Sequence, residues 1–240
     1  MIKFFRHIRR SLINQNQMGK YFKYAIGEIL LVVIGILIAL QINNWNENRK
    51  EKEKLNTIYS LIIDDLESDL IAIPKILKYY KDKSPLLEDV INGNLSPNDY
   101  ITNSKYYTLI GGGQEFVLRT KGYEQLRNFN GSDFSNSQLQ IAINDFYEKQ
   151  NSELETFNKL ILDDLASNYD YWKENFSWYS DFLIKKESEG FISYATESMD
   201  YKNRVSNYYF LNCNLFSKLL QTIEIEATEI LALLKENRND

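Results

Sequence analysis

AIGEILLVVIGILIAL, residues 25–40, carries one charge, Glu28, in an otherwise apolar run. At about 1.5 Å per helical residue it reaches about 24 Å, short of the roughly 30 Å hydrocarbon core of a bilayer. The flanks supply the rest. Tyr21, Phe22 and Tyr24 precede the run, and Ile42 and Trp45 follow it, where the aromatic belts of a span belong. The reading is a transmembrane helix over residues 25–45. It decides the architecture, because everything after it becomes a domain carried on that helix. A cleaved signal peptide fits less well: 24 residues precede the run, and the exit ALQINNW lacks small residues placed for cleavage. No cysteine lies near enough for lipid attachment.

Charge sets the expected direction. Residues 1–24 hold Lys3, Arg6, Arg9, Arg10, Lys20 and Lys23 and no acid, while Arg49, Lys50, Lys52 and Lys54 follow the span. The positive-inside bias places the basic tail, residues 1–24, in the cytoplasm and residues 46–240 outside. Phe4, Phe5, Ile8, Leu12 and Ile13 recur at helical spacing among the basic residues, a pattern suited to lying on the inner leaflet. Taking six positive charges from the net −5 leaves −11 for residues 25–240. Such a domain does not neutralise phosphates, so nucleic acid is not an expected partner.

A carboxylate inside or beside a span is costly and marks a candidate site. At 100° per residue Glu28, Gly35 and Ala39 share one face, and Gly35-x-x-x-Ala39 is a small-xxx-small pair that lets a second helix approach. Two readings of Glu28 stand. It belongs to a packing or ion-sensing seam, or it sits one turn inside the cytoplasmic boundary and reaches out to water or Lys23.

The stretch YAIGEILLVVIGILIALQINNWNENRKEKE, residues 24–53, resembles the N-terminal signature of a family of single-span proteins of Bacteroidota, domain of unknown function 6090. Tyr123-Glu-Gln-Leu-Arg, Gly131 and Leu139 to Tyr147 are similar to that family's middle region, and the last third resembles it only in character. The resemblance implies an inner-membrane protein with a periplasmic helical domain, and no activity, cofactor or catalytic residue. Glu-Ile-Leu-Leu-Val-Val-Ile also resembles the start of a type IV pilin, but Gly19 lies nine residues before Glu28, with Lys20 and Lys23 between.

Only 10 Gly and 3 Pro occur, and no segment has a convincing strand period. The expected fold is all-α: a single N-terminal transmembrane helix followed by an extracytoplasmic antiparallel helical bundle. The span is expected to run on as helix, with Leu55, Tyr59, Ile62, Leu66, Ile73 and Leu77 on one stripe until Pro74 kinks or ends it. Ser84-Pro85 and Ser96-Pro97 read as helix starts, and Asn92-Gly93-Asn94 as a stop. Gly111-Gly112-Gly113 reads as a flexible connector between two helical halves; it lacks the pattern of a phosphate-binding loop. A short helix is expected over residues 120–129. Ser135-x-x-Gln138 reads as a capping box. It opens a long helix with Leu139, Ile143, Phe146, Leu154, Phe157, Ile161, Leu165 and Tyr169 on one face. Residues 177–198 read as irregular, Phe191-Ile-Ser-Tyr being too short for a strand. The last helix, from near Asp200, has Val205, Tyr209, Leu215, Leu219, Ile223, Ala227, Ile230 and Leu234 on its stripe. LIIDDLESDL (61–70) and LILDDLASNY (160–169) echo one another, from duplication or shared composition.

Chemistry is sparsely signalled. The one histidine, His7, precedes the span, and the one cysteine, Cys213, reads as a small buried residue. Asp64-Asp65 and Asp163-Asp164 point about 100° apart within each pair, so neither pair chelates by itself. They read as solvated faces or helix-pairing groups. Tyr169, Tyr171, Trp172, Phe176, Trp178, Tyr179 and Phe182 are core closing the bundle or a stacking surface. No catalytic residue, metal or cofactor is expected. The expected function is a membrane-anchored structural or interaction protein of the envelope. Its expected partners are the lipid bilayer and either further copies of itself or another envelope protein. An extracytoplasmic sensor or ligand-binding module, or a subunit of an ion-driven complex using Glu28, are the alternatives.

Overall fold

The computed structural model describes residue 10 and residues 18–130 and 138–237. Among these, every regular element is a helix. Helix α1 runs Met18–Asn92. The chain divides into two compact units, Met1–Leu55 and Asn56–Asp240.

In the first unit the apolar run lies bare: Ile29, Leu31 and Leu37 are 63%, 64% and 59% exposed. The helix is long and apolar enough to cross a membrane, and its most apolar stretch is 0% buried. Phe4, Phe5, Ile8, Leu12 and Ile13 lie outside the described residues.

In the second unit α1 continues unbroken through Pro74 and Pro85 to Asn92. The expected break at Pro74 and the new start at Ser84-Pro85 do not occur. Each proline costs the helix about 3 kcal/mol by removing a donor and crowding the carbonyl four residues back. Both prolines are exposed to solvent. Ile62, Leu66, Ile73, Tyr80 and Leu87, each at most 1% exposed, bury one continuous face across both sites. Burying a large apolar side chain contributes about 1.5–3 kcal/mol, so the face outweighs the two prolines. The helix ends as expected at Gly93, whose φ of 72° only glycine adopts freely.

Short elements follow: α2 (Pro97–Thr102), a 3₁₀ turn (Ser104–Thr108), and α3 (Lys121–Arg127). The Ser96 backbone N–H donates to Asp99 at 2.7 Å, completing the cap expected there. The second long helix, α4, spans Gln138–Asn175; Ser135 and Gly131 lie outside the described residues. The expected irregular stretch is instead mostly helical, with α5 (Tyr179–Leu183) and α6 (Glu189–Glu197), the latter holding Phe191 to Tyr194. Helix α7 (Met199–Tyr208), a π-helical segment (Tyr209–Phe216) and α8 (Ser217–Asn237) complete the chain as one rod.

The π segment explains a slip in the expected stripe. Val205, Leu219, Ile223, Ala227, Ile230 and Leu234 are buried as expected, but between them Tyr208, Asn212 and Phe216 face inward, not Tyr209 and Leu215. The wider π turn absorbs the offset locally.

Cross-contacts fix the directions. Lys235 pairs with Glu67 at 2.6 Å and Tyr209 donates to Glu88 at 2.9 Å, so the C-terminal rod runs antiparallel to α1. Lys149 pairs with Glu226 at 2.7 Å and Asn207 donates to Asp164 at 2.6 Å, so it is antiparallel to α4 as well. The chain between α1 and α4 must therefore return along the bundle, and residues 112–120 do so outside any helix or strand.

That strap has no strand partner, so side chains satisfy its backbone. The Tyr80 hydroxyl accepts from Gln114 N at 2.8 Å and donates to its carbonyl at 2.9 Å. Asn158 donates to Phe116 O at 2.8 Å. Asp69, fully buried, accepts from the Arg119 backbone at 3.0 Å and from its guanidinium. Asp65 accepts from Gly122 N at 2.7 Å. Burial lifts the Asp69 carboxyl above its usual range, against the pull of Arg119. Asp65 is thus neither a solvated nor a helix-pairing group: with Asp69 it holds the returning strap. The echoed Asp164 pairs with Asn207 instead, so the two similar segments do different work.

Candidate functional site

Glu28, Gly35 and Ala39 all lie on α1, in the helix that is long and apolar enough to cross a membrane. Glu28 is half-buried, while Gly35 and Ala39 are exposed, and an added Cβ at Gly35 meets nothing within 4 Å. Glu28 to Ala39 covers roughly 16 Å along the axis, about half a bilayer. The face is open for a second helix.

The aromatic stretch closes one end of the second unit. Trp172, Trp178, Phe182, Phe191, Tyr194 and Tyr201 are buried, with ring centroids 5.1 Å apart for Trp172–Phe182 and Trp178–Phe191. The Trp172 indole donates to the Tyr194 hydroxyl at 3.1 Å, which donates to Asp200 at 2.5 Å. Arg204 completes the chain, bonding Asp200 at 2.8 Å and Asn168 at 2.9 Å. These rings are core.

The glycine loop is held rather than loose, contrary to the connector expected there. Gly111 O accepts from Tyr169 at 2.7 Å, and Gly112 O from Tyr208 at 2.7 Å and Lys83 at 3.2 Å. A Cβ at Gly111 would come within 3.0 Å of Phe182, and one at Gly113 within 3.2 Å of the Tyr80 hydroxyl. A side chain at either position would press on these two rings.

Beside this loop lies a cluster that sequence reasoning missed. Lys83 Nζ donates to Tyr79 at 3.0 Å and Tyr208 at 2.9 Å as well as to Gly112, and lies 4.6 Å from the Tyr208 ring centre. All its acceptors are neutral, and burial pulls its pKa below the usual lysine value. Cys213, on the π segment, is half-buried and lies 3.8 Å from Tyr80 O; burial pushes its thiol up to about 11. Lys83 lines a cavity of ≈ 280 Å³ with Tyr79, Asp82, Leu86, Lys105, Thr108 and Leu109. A second cavity, of ≈ 510 Å³, shares Lys105 and Thr108 and carries Lys185 and Glu187. The paired tyrosines Tyr79-Tyr80 and Tyr208-Tyr209 were the only trace in the sequence; nothing there links Lys83 to Lys105 or Lys185. Among the described residues no group of three or more His, Cys, Asp or Glu is placed to hold a metal ion.

No curated protein and no solved structure matches the chain. The model of a family of unknown function, DUF6090, matches residues 28–176. The match opens at Glu28 and closes at the end of α4, taking in most of the apolar run, the strap and both of its carboxylate anchors. It covers more than half of the chain, and the chain therefore belongs to the DUF6090 family.

Proposed function

We propose that this chain is a single-pass protein of the bacterial inner membrane that acts through association rather than catalysis. Residues 1–24 lie in the cytoplasm and residues 46–240 in the periplasm. Copies meet through the Glu28, Gly35 and Ala39 face, which gathers their helical domains at one place in the envelope.

The observation that carries this reading is the bare apolar surface of residues 29–42. Water does not tolerate a contiguous exposed apolar surface of that extent; a bilayer does. The six basic residues of the tail support the orientation. Within lipid, apolar side chains do not drive helices together, so close approach over small residues becomes the main source of contact.

Gly35→Leu tests the seam, because a Cβ added at Gly35 meets nothing within 4 Å. Crosslinking in native membranes is expected to trap dimers or larger species of the parent chain and at least tenfold less of them for Gly35→Leu. Equal crosslinking of the two would contradict self-association through this face.

A further inference from the structure

Lys83, Lys105 and Lys185 line two adjacent cavities that share Lys105 and Thr108 in their walls. Among the described residues none of the three makes an ion pair, although residues 25–240 carry a net −11 and carboxylates are plentiful. We propose that this cleft binds a small ligand bearing two or more anionic groups of phosphate or carboxylate type.

Lys83 supplies charge where it is costly. Its ammonium is half-buried, and its hydrogens go to two tyrosine hydroxyls and a backbone carbonyl, which solvate the cation without neutralising it. A half-buried cation held by neutral groups keeps its field, and in low dielectric that field reaches further than in water. Lys105 and Lys185 are exposed and free to close on a ligand from the middle and far end of the cleft.

Lys185 is held against its backbone preference. Its φ is 55°, at the position after α5 where glycine is the usual residue, and Lys186 N bonds back to Asp181 O at 2.8 Å. A left-handed conformation is unfavourable for a residue with a Cβ, and the lysine there lines the cavity that Lys105 also lines.

The cleft also has acids, and they are accounted for. Asp82 is paired with Lys78 at 2.6 Å. Glu88, next along α1, accepts from Ser84 and Tyr209. Glu187 lies at the Lys185 end and leaves the three lysines in excess. Ser104 and Thr108 add hydroxyls, while Leu86, Leu109 and Ile101 give an apolar wall for the part of the ligand that is not charged.

The inference stands on the second unit and does not depend on self-association of the span. Pyrophosphate and citrate are the probes, titrated by calorimetry into the full chain in phosphatidylcholine nanodiscs at about 0.1 M salt, where screening acts over about 10 Å. Saturable binding of at least one probe, one per chain, is expected. It should weaken tenfold or more in Lys105→Ala/Lys185→Ala and stay within twofold in Lys218→Ala, with all variants melting alike. Repeating the titration in nanodiscs containing phosphatidylglycerol separates the sources. Weaker apparent binding there assigns the cleft to a lipid headgroup, and unchanged binding assigns it to a soluble anion. Absence of binding by both probes, or binding equally strong in the double variant, overturns the proposal.

Discussion

Gly122→Ala is expected to destabilise the second unit by about 3–5 kcal/mol, enough to leave much of the protein unfolded near physiological temperature. An added Cβ would lie 2.5 Å from Ile62 N and 2.8 Å from Ile62 Cα. Those are backbone atoms of α1 and cannot rotate aside, so α3 must lift away. Lifting it stretches the 2.7 Å bond from Gly122 N to the buried Asp65 carboxylate and leaves that charge short of a partner. Overpacking contributes about 1–3 kcal/mol and loss of a charged hydrogen bond about 1.5–3 kcal/mol. Asp65→Ala removes the same bond by another route. Urea titration of both single variants and the double should give a double-variant loss well below the sum of the singles, because the two share one interaction. Additive losses would mean that the contact does not couple them.

Trp172→Ala is expected to lower the melting temperature by roughly 6–20 °C, from a loss of about 3–5 kcal/mol. Trp172 is 0% exposed and packs against Tyr169, Trp178 and Phe182. Truncation opens a large cavity and strips the Tyr194 hydroxyl of its indole donor, loosening the chain through Asp200 to Arg204. Phe210→Ala is the matched control, because Phe210 is 52% exposed and leaves little cavity. A thermal melt of the three chains reads the difference. Equal shifts for Trp172→Ala and Phe210→Ala would show that the aromatic end is not core.

The helical class and the long helices were legible because their apolar residues recur at helical spacing, as Ile143, Phe146 and Leu154 do on α4 and Ile223, Ala227 and Ile230 do on α8. Local punctuation was legible where it acts alone, as at Ser96-Pro97 and Gly93. It failed where tertiary burial opposes it. Pro74 and Pro85 carry strong breaking signals, yet a buried face on the same helix overrides them. The π segment was illegible because one extra residue per turn leaves no compositional mark; it shows only as burial moving from Tyr209 to Tyr208.

The strap was missed for a different reason. Its anchors Asp65, Asp69, Tyr80 and Asn158 are separated from their backbone partners by tens of residues, and nothing in an aspartate's neighbours tells a solvated carboxylate from one that receives a distant N–H. The same holds for Lys83, Lys105 and Lys185, which sit on three elements and come to line adjacent cavities only after α1, the 3₁₀ turn and the loop after α5 pack. Glu28, Gly35 and Ala39 lie on one helix, so helical geometry alone aligns them, and a packing role for that face is a proposal.

The central claim is that residues 25–45 anchor a helical domain to a bilayer. Washing native membranes with alkaline carbonate tests it most directly. The intact 28.3 kDa chain is expected to stay with the sedimented bilayer. Recovery of the protein in the wash, at full mass or shortened by loss of the apolar segment, would contradict it.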